Sequence, residues 1–137
     1  MRILITGANG QLGREIVKSF KGKFEIIPKT KKDFNLLNPE KCKKYILKTN
    51  PDWVINTAAY TNVNLAEEEQ IQALKINGYG PQIIAQSLKE SGGKMIQIST
   101  DYVFDGFSKK PYKVDDKKNP INSYGRSKEY GENAVER

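Results

Sequence analysis

The stretch TGANGQLGRE, residues 6–15, places Gly7, Gly10 and Gly13 at intervals of three residues. It lies between the apolar run at residues 3–5 and a segment with helical periodicity. Glycine lets the backbone approach a ligand closely, and the free N–H groups at the start of a helix attract anions. The spacing differs from G-x-G-x-x-G, but its position after a strand and before a helix predicts a cradle for a dinucleotide's pyrophosphate. A plain tight turn is the alternative.

Four short apolar runs alternate with segments of helical periodicity along the chain. The runs predict strands at residues 2–6, 24–27, 53–56 and 95–98. The helical segments lie at residues 11–20, 39–49, 65–90 and from about 122 onward, with a break expected at Gly78, Gly80 and Pro81. This alternation predicts an α/β fold, a Rossmann-type doubly wound parallel sheet, with residues 1–137 forming one NAD(P)-binding domain. Ligands of such sheets bind at the carboxyl ends of the strands.

The residue inventory excludes several classes of function. Histidine is absent, which excludes Ser-His-Asp catalysis, and the single cysteine, Cys42, excludes an internal disulfide and offers no metal cluster. No apolar run reaches the roughly 20 residues that a membrane span needs, and no signal peptide is evident. We therefore expect a cytoplasmic, metal-free enzyme or binding module.

The net charge of +7 is uneven, because lysines are concentrated between residues 18 and 48. Most of them suit a solvated face. Basic patches also bind nucleic acid, but no recognition helix or RNA-binding aromatic pattern accompanies the charge, so we expect no nucleic-acid partner. A third interpretation is local: some of these lysines hold one phosphate of a cofactor.

The sequence after the second predicted strand bears on the choice of cofactor. The acidic residue that usually binds the adenosine ribose, about 20 residues after the glycine turn, is missing. Instead the chain reads PKTKK at residues 28–32, which places Lys29, Lys31 and Lys32 at that point. Lysines there suit a 2′-phosphate better than a bare hydroxyl. We therefore expect NADP or NAD, with NADP favoured; the alternative is that these lysines point into water.

The segment NSYGRSKEYGE, residues 122–132, places Tyr124 and Lys128 four residues apart on the last predicted helix. Positions i and i+4 share a helix face, so both side chains can reach one site. A nearby ammonium group favours the phenolate and lowers the pKa of a tyrosine, which could then pass a proton to a carbonyl oxygen. Thr100, just after the fourth predicted strand, could hydrogen-bond the same carbonyl.

Four segments together resemble the extended short-chain dehydrogenase/reductases, and among them the dTDP-4-dehydrorhamnose reductases. They are ILITGANGQLG at residues 3–13, PDWVINTAAYTNVNLAE at 51–67, ISTDYVFDG at 98–106 and NPINSYGRSKEYGE at 119–132. The resemblance covers the whole chain. It implies NADPH- or NADH-dependent reduction of the 4-keto group of a dTDP-sugar to give dTDP-L-rhamnose, a precursor of cell-surface polysaccharide.

The resemblance also implies roles for individual residues. Tyr124 would donate the proton, Lys128 would hold the nicotinamide ribose, and Thr100, with Asp101, would contact the sugar. The remaining cofactor contacts would come from Gly10, Gln11 and Leu12 along the pyrophosphate, from Ala59, Tyr60 and Thr61 beside the cofactor, and from Asn35 and Leu36 near the adenine. Asn35 stands where the family usually has aspartate.

Members of this family are about twice as long as this chain, and their C-terminal region holds the nucleotide-sugar. We therefore expect the chain to be the N-terminal portion of an extended short-chain dehydrogenase/reductase, inactive alone. A sheet that stops after four strands should expose apolar surface, which association between copies would bury. Two alternatives stay open: a reductase or epimerase of another nucleotide-sugar, and a non-catalytic NADP-binding regulatory module.

Overall fold

The computed structural model describes residues 1–137, which form a four-stranded parallel sheet flanked by helices. The strands are β1 (Arg2–Thr6), β2 (Glu25–Lys29), β3 (Trp53–Asn56) and β4 (Lys94–Gln97). Their order across the sheet is β2-β1-β3-β4, and the register pairs Leu4 with Ile27 on one side and with Val54 on the other. The predicted α/β class and the parallel sheet are confirmed.

Six α-helices connect or follow these strands. They are α1 (Gln11–Phe20), α2 (Pro39–Thr49), α3 (Leu65–Glu68), α4 (Gln70–Leu74), α5 (Gly80–Ser91) and α6 (Ser123–Glu136). A π-helical turn, Lys75–Tyr79, joins α4 to α5, and a 3₁₀ turn, Asp101–Val103, follows β4. The break predicted within residues 65–90 is therefore present: the chain bends at Glu69 and again through the π-helical turn.

The bounds of two strands, β2 and β4, differ from the prediction. Strand β2 continues to Lys29 because it pairs with β1 as far as Thr6, and Ala8 N donates to Lys29 O at 2.9 Å. Pro28 is tolerated there because β2 is an outer strand of the sheet. Strand β4 begins at Lys94 and ends one residue earlier than predicted.

Apolar side chains pack on both faces of the sheet. Alternation along β1 sends Leu4 to one face, where it joins a core with α2 and α5, and sends Ile3 and Ile5 to the other face, under α1. The core of the first face consists of Leu4, Phe34, Leu36, Cys42, Ile46, Val54, Ile84 and Leu88. Burial raises the pKa of the Cys42 thiol to about 11, so this cysteine packs as an unreactive apolar group.

A ladder of side-chain hydrogen bonds crosses the carboxyl ends of three strands. The Thr6 hydroxyl donates to Asn56 Oδ1, Asn56 Nδ2 donates to Gln97 Oε1 at 2.7 Å, and Gln97 Nε2 donates to Ile98 O at 2.7 Å. Thr6 and Asn56 are fully buried. We call this chain of bonds the polar ladder. It fixes the relative positions of the three loops that leave β1, β3 and β4.

The β4 side of the sheet is open. Ile96 on this outer strand is 44% exposed, and a cavity of about 670 Å³ lies between β4, α5 and α6. Apolar surface is thus exposed where a longer sheet would continue. None of the helices has the length and apolar character needed to cross a bilayer.

The polar ladder generates the first testable prediction. Replacing Asn56 with leucine removes the acceptor of the buried Thr6 O–H and the donor to Gln97 Oε1, at about 1–3 kcal/mol for each group. We expect Asn56→Leu to lower the free energy of unfolding in urea by roughly 3 kcal/mol. The matched control is Asn64→Leu, because Asn64 is exposed and its side chain makes no capping bond. Similar losses for both variants would contradict a structural role for the ladder.

Candidate active site at the carboxyl ends of the strands

A cleft of about 870 Å³ opens at the carboxyl edge of the sheet. It is bounded by the glycine turn after β1, the loops after β2 and β3, the exit of β4, and α6. Most of the predicted site residues line it: Gly7, Gly10, Gln11, Leu12, Gly13, Asn35, Leu36, Ala59, Tyr60, Thr61, Tyr124 and Lys128. Lys29, Thr100 and Asp101 are not among its lining residues.

The glycine turn is packed so tightly at Gly7 and Gly13 that neither position can carry a side chain. Gly7 has φ +63°, and a Cβ atom on it would lie 2.8 Å from Ala58 N. A Cβ atom on Gly13 would lie 2.3 Å from Gly7 O, so α1 begins directly against the turn. Gly10 is the N-cap of α1, and the first turn of that helix carries no acidic residue.

These features fit a bound pyrophosphate. The first N–H groups of a helix have no partner within the helix, and its positive dipole end favours an anion. Gln11 and Leu12 lie in this first turn and are exposed at the cleft. The cradle is therefore open to an anionic ligand and is not filled by a side chain of the protein.

The loop after β2 places Lys31, and not Lys29, at the cleft. Lys29 is the last residue of β2, and its amino group lies 4.8 Å from the centroid of the Tyr45 ring. Lys31 follows the strand and is exposed. Of the lysines in this run, Lys31 therefore lines the cleft and Lys29 does not, and a contact of Lys29 with the cofactor stays a prediction.

Asn35 lines the cleft, but its side chain is engaged within its own loop. Asn35 Oδ1 accepts a hydrogen bond from Leu37 N at 3.0 Å, and its carbonyl accepts one from the Cys42 thiol at 3.2 Å. Leu36 is 6% exposed and belongs to the core. Asn35 and Leu36 therefore shape the wall of the cleft next to the end of β2.

Tyr124 and Lys128 lie on the α6 side of the cleft, and both are buried, at 9% and 4% exposure. Lys128 Nζ donates to Ile98 O at 2.6 Å. Burial lowers the pKa of Lys128 to about 8, and the carboxylate of Glu132 opposes this effect. The Tyr124 ring packs against Ala66 and Ala73 and meets the Tyr102 ring edge-on, with 5.6 Å between centroids.

Thr100 and Asp101 form the start of the 3₁₀ turn after β4. Thr100 Oγ1 accepts from Tyr102 N at 3.2 Å and lies 3.2 Å from Asp101 Oδ1, to which it donates. Thr100 therefore caps the turn that carries Tyr102 against Tyr124. Ser99, the residue before Thr100, lines the cleft.

Asn77, in the π-helical turn, is a structural anchor that the sequence reasoning did not identify. It is 1% exposed, and its side chain exchanges two hydrogen bonds with the backbone of Tyr60, at 2.8 and 3.0 Å. Its Nδ2 atom also donates to Ser127 Oγ at 3.0 Å. Asn77 thus joins the loop after β3 to the helix that carries Tyr124 and Lys128. The only signal in the sequence was its place in the interrupted helical stretch.

Two glutamates, Glu67 in α3 and Glu69 directly after it, accept hydrogen bonds that position α6 and the loop after β3. Glu67 accepts hydrogen bonds from Ser123 N at 2.6 Å and from Ser123 Oγ at 2.9 Å, which lower the pKa of Glu67 and give the first N–H group of α6 an acceptor. Glu69 Oε2 accepts from the Tyr60 hydroxyl at 2.7 Å. Burial, followed by this bond to Glu69, raises the pKa of Tyr60 to about 12, so Tyr60 stays protonated at neutral pH.

The doubly wound sheet, the glycine cradle after its first strand and the Tyr-x-x-x-Lys pair on α6 define a Rossmann-type protein of the extended short-chain dehydrogenase/reductase class. The chain belongs to the family described as the RmlD substrate binding domain, whose family model matches residues 1–137. The resemblance expected from the sequence motifs is thereby confirmed.

Known proteins support this assignment along the whole chain. It is 41% identical over 135 residues to a dTDP-4-dehydrorhamnose reductase of Burkholderia thailandensis, covering 98% of this chain and 45% of that protein. The crystal structure of a dTDP-4-dehydrorhamnose reductase from Clostridium acetobutylicum is 47% identical, with a TM-score of 0.97 over 99% of this chain and 49% of that one. A Bacillus anthracis dTDP-4-dehydrorhamnose reductase in complex with NADP is 38% identical, with a TM-score of 0.95 over 98% and 48%. The chain spans about half the length of these relatives.

Lys128 generates a prediction about stability and pH. The folded-state pKa is about 8 against an ordinary value of 10.5, so between these two pH values the unfolded chain binds more protons at this residue. Stability should therefore rise with pH across this window, because the burial penalty of the charged form is fully present below it and is lost above it. Replacing Lys128 with methionine removes this titration.

We expect the free energy of unfolding of the wild type, relative to Lys128→Met, to increase by up to roughly 3 kcal/mol from pH 7 to above pH 10. Urea denaturation of both proteins at matched pH values measures the difference, and the comparison cancels the titration of the other lysines. A difference that does not change with pH would contradict the burial argument.

Proposed function

We propose that this chain is the cofactor-binding portion, residues 1–137, of an NAD(P)H-dependent dTDP-4-dehydrorhamnose reductase. The reaction is the reduction of the 4-keto group of dTDP-4-dehydro-L-rhamnose to dTDP-L-rhamnose. The observation that carries the proposal is the buried Tyr124–Lys128 pair on the wall of the same cleft that contains the glycine cradle. The substrate is inferred from the relatives, which are named dTDP-4-dehydrorhamnose reductases.

Different parts of the cleft would bind different parts of the dinucleotide. The glycine turn and the first turn of α1 would bind the pyrophosphate, and the loop with Ala59, Tyr60 and Thr61 would contact the nicotinamide half. Lys128 would hold the nicotinamide ribose. When bound, the reduced nicotinamide supplies the hydride for the carbonyl carbon.

The proton for the carbonyl oxygen would come from the Tyr124 hydroxyl. Lys128 favours loss of this proton because, with a pKa of about 8, its amino group is mostly charged at neutral pH and stabilises the phenolate. Thr100 and Asp101 are proposed to contact the sugar, which places the 4-oxygen within reach of Tyr124. The substrate is a small nucleotide-sugar, and the proposal includes action in the cytoplasm without a nucleic-acid partner.

Two other functions remain candidates. The same cleft would serve a reductase or epimerase of another nucleotide-sugar, because the residues that select the sugar are expected in the half of the relatives that residues 1–137 do not cover. A regulatory module that binds NADP without turnover would keep the glycine cradle. Assays of the full-length gene product distinguish the three functions. Turnover of dTDP-4-dehydro-L-rhamnose supports the proposed reductase. Turnover of another nucleotide-sugar instead supports the first alternative, and cofactor binding without turnover supports the second.

The preference for NADP is tested at Lys31. This lysine lines the cleft, whereas Lys32, which is also exposed, does not. Lys31→Ala removes one charge-assisted contact with the 2′-phosphate, so NADPH should bind to the chain roughly tenfold more weakly. NADH affinity should stay within about twofold, since NADH lacks that phosphate. Nicotinamide fluorescence measures both, with Lys32→Ala as the matched control. If Lys31→Ala weakened NADPH and NADH binding equally, Lys31 would not contact the 2′-phosphate. The same would follow if Lys31→Ala and Lys32→Ala weakened NADPH binding equally.

The proton-donor role is tested by Tyr124→Phe in the full-length gene product. Loss of a positioned proton donor lowers turnover by roughly 10²- to 10⁴-fold, while NADPH affinity should change little because the ring remains. Tyr130→Phe is the control, since Tyr130 lies on the same helix but outside the cleft. Full turnover in Tyr124→Phe would rule out the proposed role.

A further inference from the structure

Glu132 is the centre of a charged cluster next to the cleft. It lies on α6 one turn after Lys128. The Ser99 hydroxyl donates to its Oε1 atom, and Lys118 Nζ lies 3.1 Å from its Oε2 atom. Lys118 also donates to Asn133 Oδ1 at 3.0 Å. The side chains of Glu132 and Lys118 are only 21% and 24% exposed, so this ion pair is partly shielded from water.

The cluster holds the exit of β4 against α6. Lys128 donates to Ile98 O at 2.6 Å, and Glu132 accepts from the side chain of the next residue, Ser99. Two consecutive residues, Ile98 and Ser99, are therefore hydrogen-bonded to side chains that lie one helical turn apart on α6. Thr100 follows Ser99 immediately, so its position relative to α6 depends on this double contact.

The cluster also sets the charge around Lys128. Glu132 is the acidic group that favours the charged form of Lys128, against the effect of burial. Lys118 competes for the same carboxylate from the polar loop before α6. The other charged groups facing Lys118 are Glu136, at 3.8 Å, and Glu129, both on α6. From the segment directly after β4, the groups that reach the cluster are the neutral Ser99 hydroxyl and Ile98 carbonyl.

The loop that supplies Lys118 is itself fixed near the β4 exit. Asn119, the next residue, donates from its backbone to Val103 O at 2.8 Å and from Nδ2 to Asp105 Oδ2 at 3.1 Å. Both partners lie within or just after the 3₁₀ turn that begins at Asp101. The position of Lys118 is thus coupled to the turn that follows Thr100.

We propose that Glu132 is a positioning residue for the Tyr124–Lys128 pair and that Lys118 is its counter-ion. Glu132 fixes the Ile98–Ser99 segment against α6, and the Lys118 pair limits how much of its negative charge acts on Lys128. The catalytic meaning of this arrangement rests on the proposed reductase function. The arrangement itself can be measured in the 137-residue chain without any turnover.

The charge effect is tested by titrating Lys128 with ¹³C- and ¹⁵N-labelled lysine in NMR spectra of the chain. Lys118→Met frees the Glu132 carboxylate and should raise the titration midpoint of Lys128 by roughly half a pH unit. Glu132→Gln should lower that midpoint. Lys117→Met is the matched control, because it removes the same charge from an exposed neighbour that has no ion-pair partner. The proposal would be overturned if Lys118→Met and Lys117→Met had the same effect on the titration midpoint of Lys128. It would also be overturned if Glu132→Gln left that midpoint unchanged.

The positioning effect is tested by amide hydrogen exchange of Ile98, whose N–H donates to Asn56 O at 3.2 Å. Glutamine at position 132 can still accept from Ser99, whereas alanine cannot. Exchange should therefore be roughly tenfold faster in Glu132→Ala than in Glu132→Gln. Equal rates would overturn the positioning role. If both NMR results hold but the full-length protein shows no reductase turnover, the proposed function fails and this assignment of Glu132 stands.

Discussion

The polar ladder of Thr6, Asn56 and Gln97 is the constraint on which the cleft depends. Parallel strands are joined by backbone bonds along their length, but the loops that leave their carboxyl ends have no such bonds to each other. The ladder supplies them, because the buried Thr6 bonds to the buried Asn56 on the next strand and Asn56 bonds to Gln97 on the strand after it. An unpaired polar group at these positions would be strongly unfavourable, so the three strand ends are held in one arrangement.

The ladder also connects the two halves of the proposed chemistry. At one end, Thr6 precedes Gly7, where the backbone turns towards α1 and the pyrophosphate cradle. At the other end, Gln97 Nε2 and Lys128 Nζ donate to the same acceptor, Ile98 O. The cradle and α6 are therefore positioned by one continuous set of hydrogen bonds. Asn77 adds a second link, from the loop after β3 to α6, and Glu132 adds a third, from the β4 exit.

Much of this fold could be predicted from local patterns. Apolar runs, helical periodicity and the glycine spacing report on neighbours in sequence, and the predicted strands and helices agree closely with the observed ones. The position of Lys29 could not be predicted, because the end of β2 is set by pairing with β1. Glu67, Asn77 and Glu132 were not assigned for the same reason: their partners are between 14 and 56 residues away. The charged residues look like a solvated surface until those partners are known.

The central claim is that a nicotinamide dinucleotide lies between the cradle and α6. The most direct measurement is a ¹⁵N-labelled amide spectrum of the chain recorded during titration with NADPH. We expect the largest shifts at the first turn of α1, from Gln11 to Gly13, together with shifts at Tyr124 and Lys128. Absence of binding, or shifts confined to the cavity beside β4 and α5, would contradict it.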